Sequence, residues 1–216
     1  MNYNSFKERI NTIKCAVAQV EAKIIGEFIG PVATIEEINR IELTIEQELP
    51  FSFKKVLLEF SSNFSFKWFL HEDMELPNEF RNIFSGRIQW DLHSLPQLKE
   101  EIGYWIDCVY PDEADEDDLV WYNKLAFCSV GNGDYLAFDL TDGVDAPVIY
   151  LNHEKGEGHG YKLADNFVEL LENWSRLAFV GEEDDQWLPF TKNSVSGLIP
   201  DGEPAKRFRA WLKINM

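Results

Sequence analysis

Leu125-Ala-Phe-Cys-Ser-Val-Gly-Asn-Gly-Asp-Tyr-Leu-Ala-Phe-Asp-Leu140 is the stretch on which the fold turns. Two apolar runs, Tyr122 to Val130 and Tyr135 to Leu140, flank Gly131-Asn-Gly-Asp134. Glycine and asparagine are the residues that a tight turn with positive φ prefers, so the expectation is an antiparallel strand pair. Asp142-Gly143 and Pro147 then lead to a further strand, Val148 to Leu151.

Upstream, Phe64, Phe66, Trp68 and Leu70 alternate, and so do Ile88, Trp90 and Leu92, as half-buried strands require. Earlier still the period is helical. Phe6, Ile10, Ile13, Val17, Val20 and Ile24 form one apolar stripe until Gly26, Gly30 and Pro31 interrupt it. Thr34-Ile-Glu-Glu37 reads as a capping box opening a helix with Ile35, Ile38, Ile41, Ile45 and Leu49 on roughly one face. Pro50 ends that helix or opens the next, which carries Phe53, Val56, Leu57 and Phe60. Downstream, Ser94-Leu-Pro-Gln97 resembles another helix start. Asp165 is a plausible N-cap for a helix with Phe167, Leu170, Leu171, Trp174 and Ala178, ended by Gly181. A last helix is expected near Pro204, burying Phe208, Trp211 and Leu212.

Helices, then strands on short turns, then helices again predict an α+β fold with a twisted, mainly antiparallel sheet flanked by helices. No βαβ alternation and no internal repeat is visible. The 216 residues suit a single domain, 1–216. With 38 acidic against 20 basic side chains the net charge is −18, which argues against nucleic-acid phosphates and against an anionic membrane surface as partners. No stretch is long and apolar enough to span a membrane, and Met1 to Arg9 lacks a signal-peptide core. Cys15, Cys108 and Cys128 form no CxxC pair and read as reduced, buried thiols of a cytoplasmic protein.

Enzyme signatures are missing: no Walker loop, GxGxxG, HExxH or GxSxG occurs. Neither catalytic residues nor a cofactor or metal are expected. His153 and His159 flank Glu154-Lys-Gly-Glu-Gly158, yet the loop would have to fold to bring them onto one ion, and no cysteine is near. Asp139 to Asp145 fails as a calcium loop, because putting Gly143 at position six puts Phe138 where an aspartate is required.

Two acidic runs stand out. Asp112, Glu113, Asp115, Glu116, Asp117 and Asp118 crowd one segment, whose self-repulsion suggests a solvated loop. Glu182, Glu183, Asp184 and Asp185 form the second. They read either as a solubility device or as a surface that attracts a basic partner, raising encounter rates to roughly 10⁸–10⁹ M⁻¹s⁻¹ at low salt in favourable cases. Rim charges alone contribute little affinity, so an aromatic anchor is expected nearby. Tyr110, Trp121 and Trp187 are the candidates by nearness in sequence; Trp187 lies outside any clear period, so it is the one most open to partial exposure, or equally it pins the tail to the domain.

The order of these segments resembles the SUKH superfamily, the Smi/Knr-like domains of many bacterial immunity proteins and of a fungal cell-wall regulator. The residues that carry the resemblance are Glu36 to Phe60 with its Leu49-Pro50, Ile88-Gln-Trp-Asp-Leu92, Leu125 to Leu140, Pro147-Val-Ile-Tyr150, His153-Glu154 and Phe167. Gln186-Trp-Leu-Pro-Phe-Thr191 and Arg209-Ala-Trp-Leu212 are similar to a tail of some members. The resemblance covers about residues 34–216 and leaves 1–30 as an N-terminal helical extension.

That resemblance implies a non-catalytic, helix-flanked antiparallel sheet. It also implies, from the bacterial members, a protein that binds a cognate toxin domain and neutralises it inside the producing cell. The toxins concerned include nucleases, whose basic surfaces an inhibitor of charge −18 complements. A regulatory interaction module of the same fold, and a small-ligand-binding protein or unrecognised enzyme, stay open as alternatives.

Overall fold

The computed structural model describes residues 1–141, 143 and 145–214. The expected turn at Asp142-Gly143 and the Asp139 to Asp145 stretch therefore fall partly outside the described residues.

Helix α1 (Tyr3–Gln19) starts at Asn2, whose side chain accepts the amides of Asn4 and Ser5, and it buries Phe6, Ile10, Ile13 and Val17. The apolar stripe suggested a helix reaching Ile24. Instead the chain turns at Glu21, with φ of 56°, and Lys23–Ile29 forms strand β1. Ile24-Ile25 and Phe28-Ile29 favour extended backbone, and β2 (Asn63–Phe69) offers β1 an antiparallel partner. The first thirty residues are thus a packed helix and an edge strand, not a helical extension. All seven β1 residues escape full burial, Ile25 being 55% and Phe28 52% exposed.

Helix α2 (Ile35–Ile45) has the expected capping box: Thr34 Oγ1 accepts the Glu37 amide at 3.1 Å, and the Glu37 carboxylate accepts the Thr34 amide at 2.7 Å. Pro50 opens helix α3 (Phe51–Glu59). After β2 come β3 (Ser85–Asp91) and helix α4 (Leu95–Cys108). A four-residue helix, α5 (Glu116–Leu119), replaces the expected open loop. Strands β4 (Lys124–Ser129) and β5 (Tyr135–Asp139) pair as expected, with Gly133 at φ 102° in their turn. Strands β6 (Val148–Leu151) and β7 (Lys162–Ala164) complete that sheet.

Helix α6 (Phe167–Ser175) is capped by Asn166, one residue later than expected. Asn166 Oδ1 accepts the Glu169 amide, while the Glu169 carboxylate holds the amide of Asp165. The helix ends before Gly181, because Ala178 and Phe179 both take left-handed backbone, φ 55° and 54°. Their carbonyls are held by Trp68 Nε1 at 2.8 Å and by the Arg87 amide at 2.7 Å. Helices α7 (Asp184–Trp187) and α8 (Glu203–Trp211) follow, and α8 buries Phe208 with Trp211 packed half-buried beside it.

The expected single sheet is in fact two antiparallel ones, ordered β1-β2-β3 and β4-β5-β6-β7. Along its first half, the free edge of β3 is taken by residues 179–181: Gly86 bridges Val180, and the Gly181 amide donates to the Ser85 carbonyl at 2.9 Å. The two sheets nevertheless share one aromatic core. Trp90 of β3 stacks on Phe64 at 4.6 Å and meets Phe167 edge-on at 5.4 Å, while Phe127 of β4 meets the same Phe167 at 5.2 Å. Of the three cysteines only Cys128 is buried, and Cys15 and Cys108 are exposed.

Candidate acidic interface

The loop between β6 and β7, residues 152–160, is organised by Asn152. Its Oδ1 accepts the amides of Glu154 at 2.8 Å and Gly156 at 3.0 Å. On one side the loop grips α7: Asn152 Nδ2 donates to Asp184 Oδ2 at 2.9 Å and the Gly158 amide reaches the same oxygen at 3.3 Å. A Cβ at Gly158 would lie 2.6 Å from Asp184 Cβ and 3.0 Å from the Trp187 ring, so this approach requires glycine.

On its other side the loop grips the first acidic run. Lys155 Nζ lies 2.7 Å from Asp118 Oδ1 and 3.3 Å from Asp115 Oδ1. His159 Nδ1 accepts the Asn152 amide at 3.1 Å, which leaves Nε2 to donate to the Asp117 carbonyl at 2.9 Å. One loop thus joins acidic segments that are far apart in sequence, and it contributes Glu154 and Glu157 of its own, both exposed.

The first run folds on itself. Asp115 caps α5 by accepting the amides of Asp117 and Asp118. The Asp118 amide, then Lys155, hold the Asp115 carboxyl below the ordinary aspartate value. Asp112, Glu113, Asp115, Glu116 and Asp117 are exposed, whereas Asp118 is buried and accepts the Asp112 amide. In the second run, Asp185 is exposed and Glu183 and Asp184 are half-buried. Burial, then neighbouring carboxylates, push Glu183 and Asp185 above their ordinary values.

Glu182 departs from the sequence expectation most sharply. It is 3% exposed and spans the two sheets: Oε2 pairs with Arg87 Nη1 of β3 at 3.0 Å, and Cys128 Sγ of β4 lies 3.4 Å from Oε1. Burial drives its carboxyl up to about 7, against the pull of Arg87.

The aromatic candidates are corrected as well. Trp121 and Trp187 have no exposed surface and Tyr110 is 6% exposed. Tyr110 and Trp121 stack at 5.0 Å with 17° between their planes, and Trp105 completes the tier. His153 and His159 pack against it. Trp187 wedges against Tyr150 at 5.1 Å and donates through Nε1 to the Glu182 carbonyl. These rings floor the acidic face and do not protrude from it. Trp187 lacks a sequence period because its helix is four residues long, not because it is exposed.

Beneath the loop, Asp134 of the turn is fully buried. It accepts the Tyr150 hydroxyl at 2.5 Å, Asn132 Nδ2 at 2.7 Å, and both the amide and Nδ1 of His153 at 2.8 and 2.6 Å. Sequence reasoning took this turn as a hairpin and missed the carboxylate that seats the neighbouring loop. It also missed Asn152, Lys155 and Gly158; an asparagine followed by two closely spaced glycines was the available signal. Among the described residues, no group of three or more His, Cys, Asp or Glu is arranged to hold a metal ion, and no helix is long and apolar enough to cross a membrane.

The sequence model of the SMI1 / KNR4 family (SUKH-1) matches residues 32–173, about two thirds of the chain. The chain belongs to the SMI1 / KNR4 family. No curated protein matches it. The SUKH-1 match takes in the first acidic run, the buried Asp134 and the loop 152–160, together with both strands that flank the seam between the sheets. Helices α7 and α8, with the second acidic run, lie beyond it, as does α1 before it.

Proposed function

We propose that this SUKH-1 protein is an immunity protein that binds a cognate basic toxin domain, one that acts on nucleic acid, and blocks it without covalent chemistry. The observation that carries the proposal is the loop 152–160, which unites the two acidic runs into one face over a rigid aromatic floor. A nucleic-acid-acting enzyme presents cations where phosphates bind, and a preorganised acidic face can occupy that place. Preorganisation matters because ordering a loop on binding reduces affinity. Family membership supports the reading, since a non-catalytic protein-binding role is what the SUKH resemblance implies.

The test is association with the toxin domain encoded beside this gene, followed by stopped flow at two salt concentrations. Wild type should bind one to one, at nanomolar concentrations or tighter, with association slowing as salt rises. Reversing Asp112, Glu113, Glu116 and Asp117 to lysine should slow association at least tenfold and flatten its salt dependence. An unchanged association rate in that variant would remove the acidic face from the explanation. No binding at tens of micromolar would remove that toxin as the partner.

A further inference from the structure

Tyr110, Trp121 and Trp187 are floor to the acidic face, and none of them protrudes to fill a pocket on a partner. Interfaces concentrate their affinity in a few groups seated in desolvated pockets, arginine prominent among them. This chain offers the pocket instead. A cleft of about 300 Å³ lies over β2 and β3 and against α4 and the end of β4. Asn63 and Asp91 are cross-strand partners, as are Ser65 and Gln89, so these side chains share the sheet face turned away from buried Phe64 and Trp90.

Two carboxylates line the cleft, Asp91 of β3 and Glu101 of α4. Each is fixed by neutral donors. Asp91 accepts Asn63 Nδ2 and the His93 amide, both at 2.9 Å. Glu101 accepts Gln97 Nε2 at 2.8 Å and the Tyr135 hydroxyl at 3.1 Å. Every oxygen of the two groups takes one such bond, which leaves lone pairs for a further donor. No lysine or arginine lines the cleft. Strands β2, β3 and β4 and helix α4 each carry a single one, and each is committed elsewhere. Lys67 lies over the Phe69 ring, Arg87 pairs with Glu182, Lys124 pairs with Asp139, and Lys99 donates to the Ile45 carbonyl.

We infer that this cleft seats an anchor supplied by the partner, the side chain of an arginine. The cleft holds oriented carboxylates with no cation of the chain's own, which selects a positive occupant. A guanidinium brings five N–H donors in one plane and so meets several fixed acceptors at once, which an ammonium does not. Its methylene stem suits the apolar part of the lining, Leu98 and Phe127. The cleft also adjoins the acidic face. Glu101 stands one helical turn before Trp105 of the aromatic tier, and the Tyr135 hydroxyl links them, donating to Glu101 and accepting from Trp105 Nε1 at 3.2 Å. A partner steered onto the acids thus brings its arginine to the cleft. The inference rests on the proposed function only for the partner's identity; the cleft's capacity for a guanidinium is independent of it.

The first probe is N-acetyl-arginine methylamide, titrated into the full chain at constant ionic strength and followed by NMR. It should shift the Gln89 side-chain amide and the Ser129 backbone amide. The lysine analogue, and the uncharged citrulline analogue, should bind at least about threefold more weakly. Glu101→Gln keeps an acceptor for Tyr135 and should weaken the arginine probe at least about fivefold, whereas Glu113→Gln removes the same charge from the acidic face and should leave it unchanged. Equal binding of the citrulline analogue, equal loss in the two variants, or preference for the lysine analogue overturns the proposal.

The second probe is the toxin domain. Rim charges act on association, and desolvated charge pairs act on dissociation. Glu101→Gln should hasten dissociation at least about tenfold and leave association within about twofold, the opposite of the lysine reversals at Asp112, Glu113, Glu116 and Asp117. Toxin binding with an unchanged dissociation rate in Glu101→Gln overturns the cleft and leaves the immunity reading standing. Arginine-probe binding without toxin binding removes that toxin and keeps the cleft.

Discussion

The Lys155 ammonium lies 2.7 Å from the Asp118 carboxylate, and through that contact the loop after β6 is tied to the acidic helix α5. Lys155 is also the only lysine or arginine in residues 112–118, 152–160 and 182–185. It sits 5.4 Å from the Tyr110 ring centroid, so one cation joins the charged surface to the aromatic floor.

Lys155→Met removes that tie. The amides of residues 154–158 should exchange faster with solvent, and the thermal midpoint should fall slightly. Encounter with a basic toxin should quicken at low salt, because the face is one unit more negative, while dissociation quickens because the loop is no longer fixed. Stopped-flow association and dissociation rates, with hydrogen exchange, check both directions.

Asp134 accepts four hydrogen bonds without solvent contact. Asp134→Ala should cost about 3–5 kcal/mol, since it leaves the buried Tyr150 hydroxyl and the half-buried His153 donors without that partner. Urea denaturation measures this. The exposed Glu113→Ala, by contrast, should stay within about 0.5 kcal/mol of wild type.

Trp121→Ala should destabilise by about 3–5 kcal/mol. Its effect on toxin binding should appear as loss of folded protein and a looser loop, not as a lost contact, because the ring has no exposed surface. Calorimetry at a temperature where the variant stays folded separates the two effects.

Gly86 lies against Trp68: a Cβ there would stand 2.1 Å from Nε1, the atom that donates to the Ala178 carbonyl. Gly86→Ala should therefore cost about 2–4 kcal/mol, from overpacking together with a strained buried hydrogen bond. A Trp68→Phe background should relieve part of that cost, as a double-mutant cycle in urea would show.

Glu182 gives a signed pH dependence. Its carboxyl titrates near 7 when folded, against an ordinary value of 4.5. Between those values the folded chain holds a proton that the unfolded chain has released, so stability falls as pH rises through the window. The contribution is at most about 3 kcal/mol and is constant above pH 7. Glu182→Gln should lose this slope, which midpoints measured from pH 5 to 8 would reveal.

What the sequence disclosed depends on the range of each interaction. The Thr34 capping box, the alternation from Phe64 to Leu70 and the turn at Gly133 are decided by residues a few positions apart, and each appears as read. Strands β1 and β7 were not legible, since one is unburied and the other only three residues long. Nor was the fate of individual acids. Glu182 and Asp118 look like their neighbours in sequence, yet Arg87 and Lys155, distant along the chain, draw these two inward. Runs of acids gave the location of the face, and only the fold shows which carboxylates remain on it.

The bare edge of β1 shows another use of the charge. Ile25 and Phe28 are more than half exposed on a strand whose outer edge pairs with nothing among the described residues. Such an edge would template stacking of copies into filaments or precipitate. Mutual repulsion between chains of charge −18 opposes that stacking, and within the strand Lys23, Glu27 and the register shift between Ile24 and Gly26 interrupt it. The edge is therefore guarded by the net charge of the whole chain: near the isoelectric point of about 4.5 that repulsion disappears, and turbidity should rise there before the fold is lost.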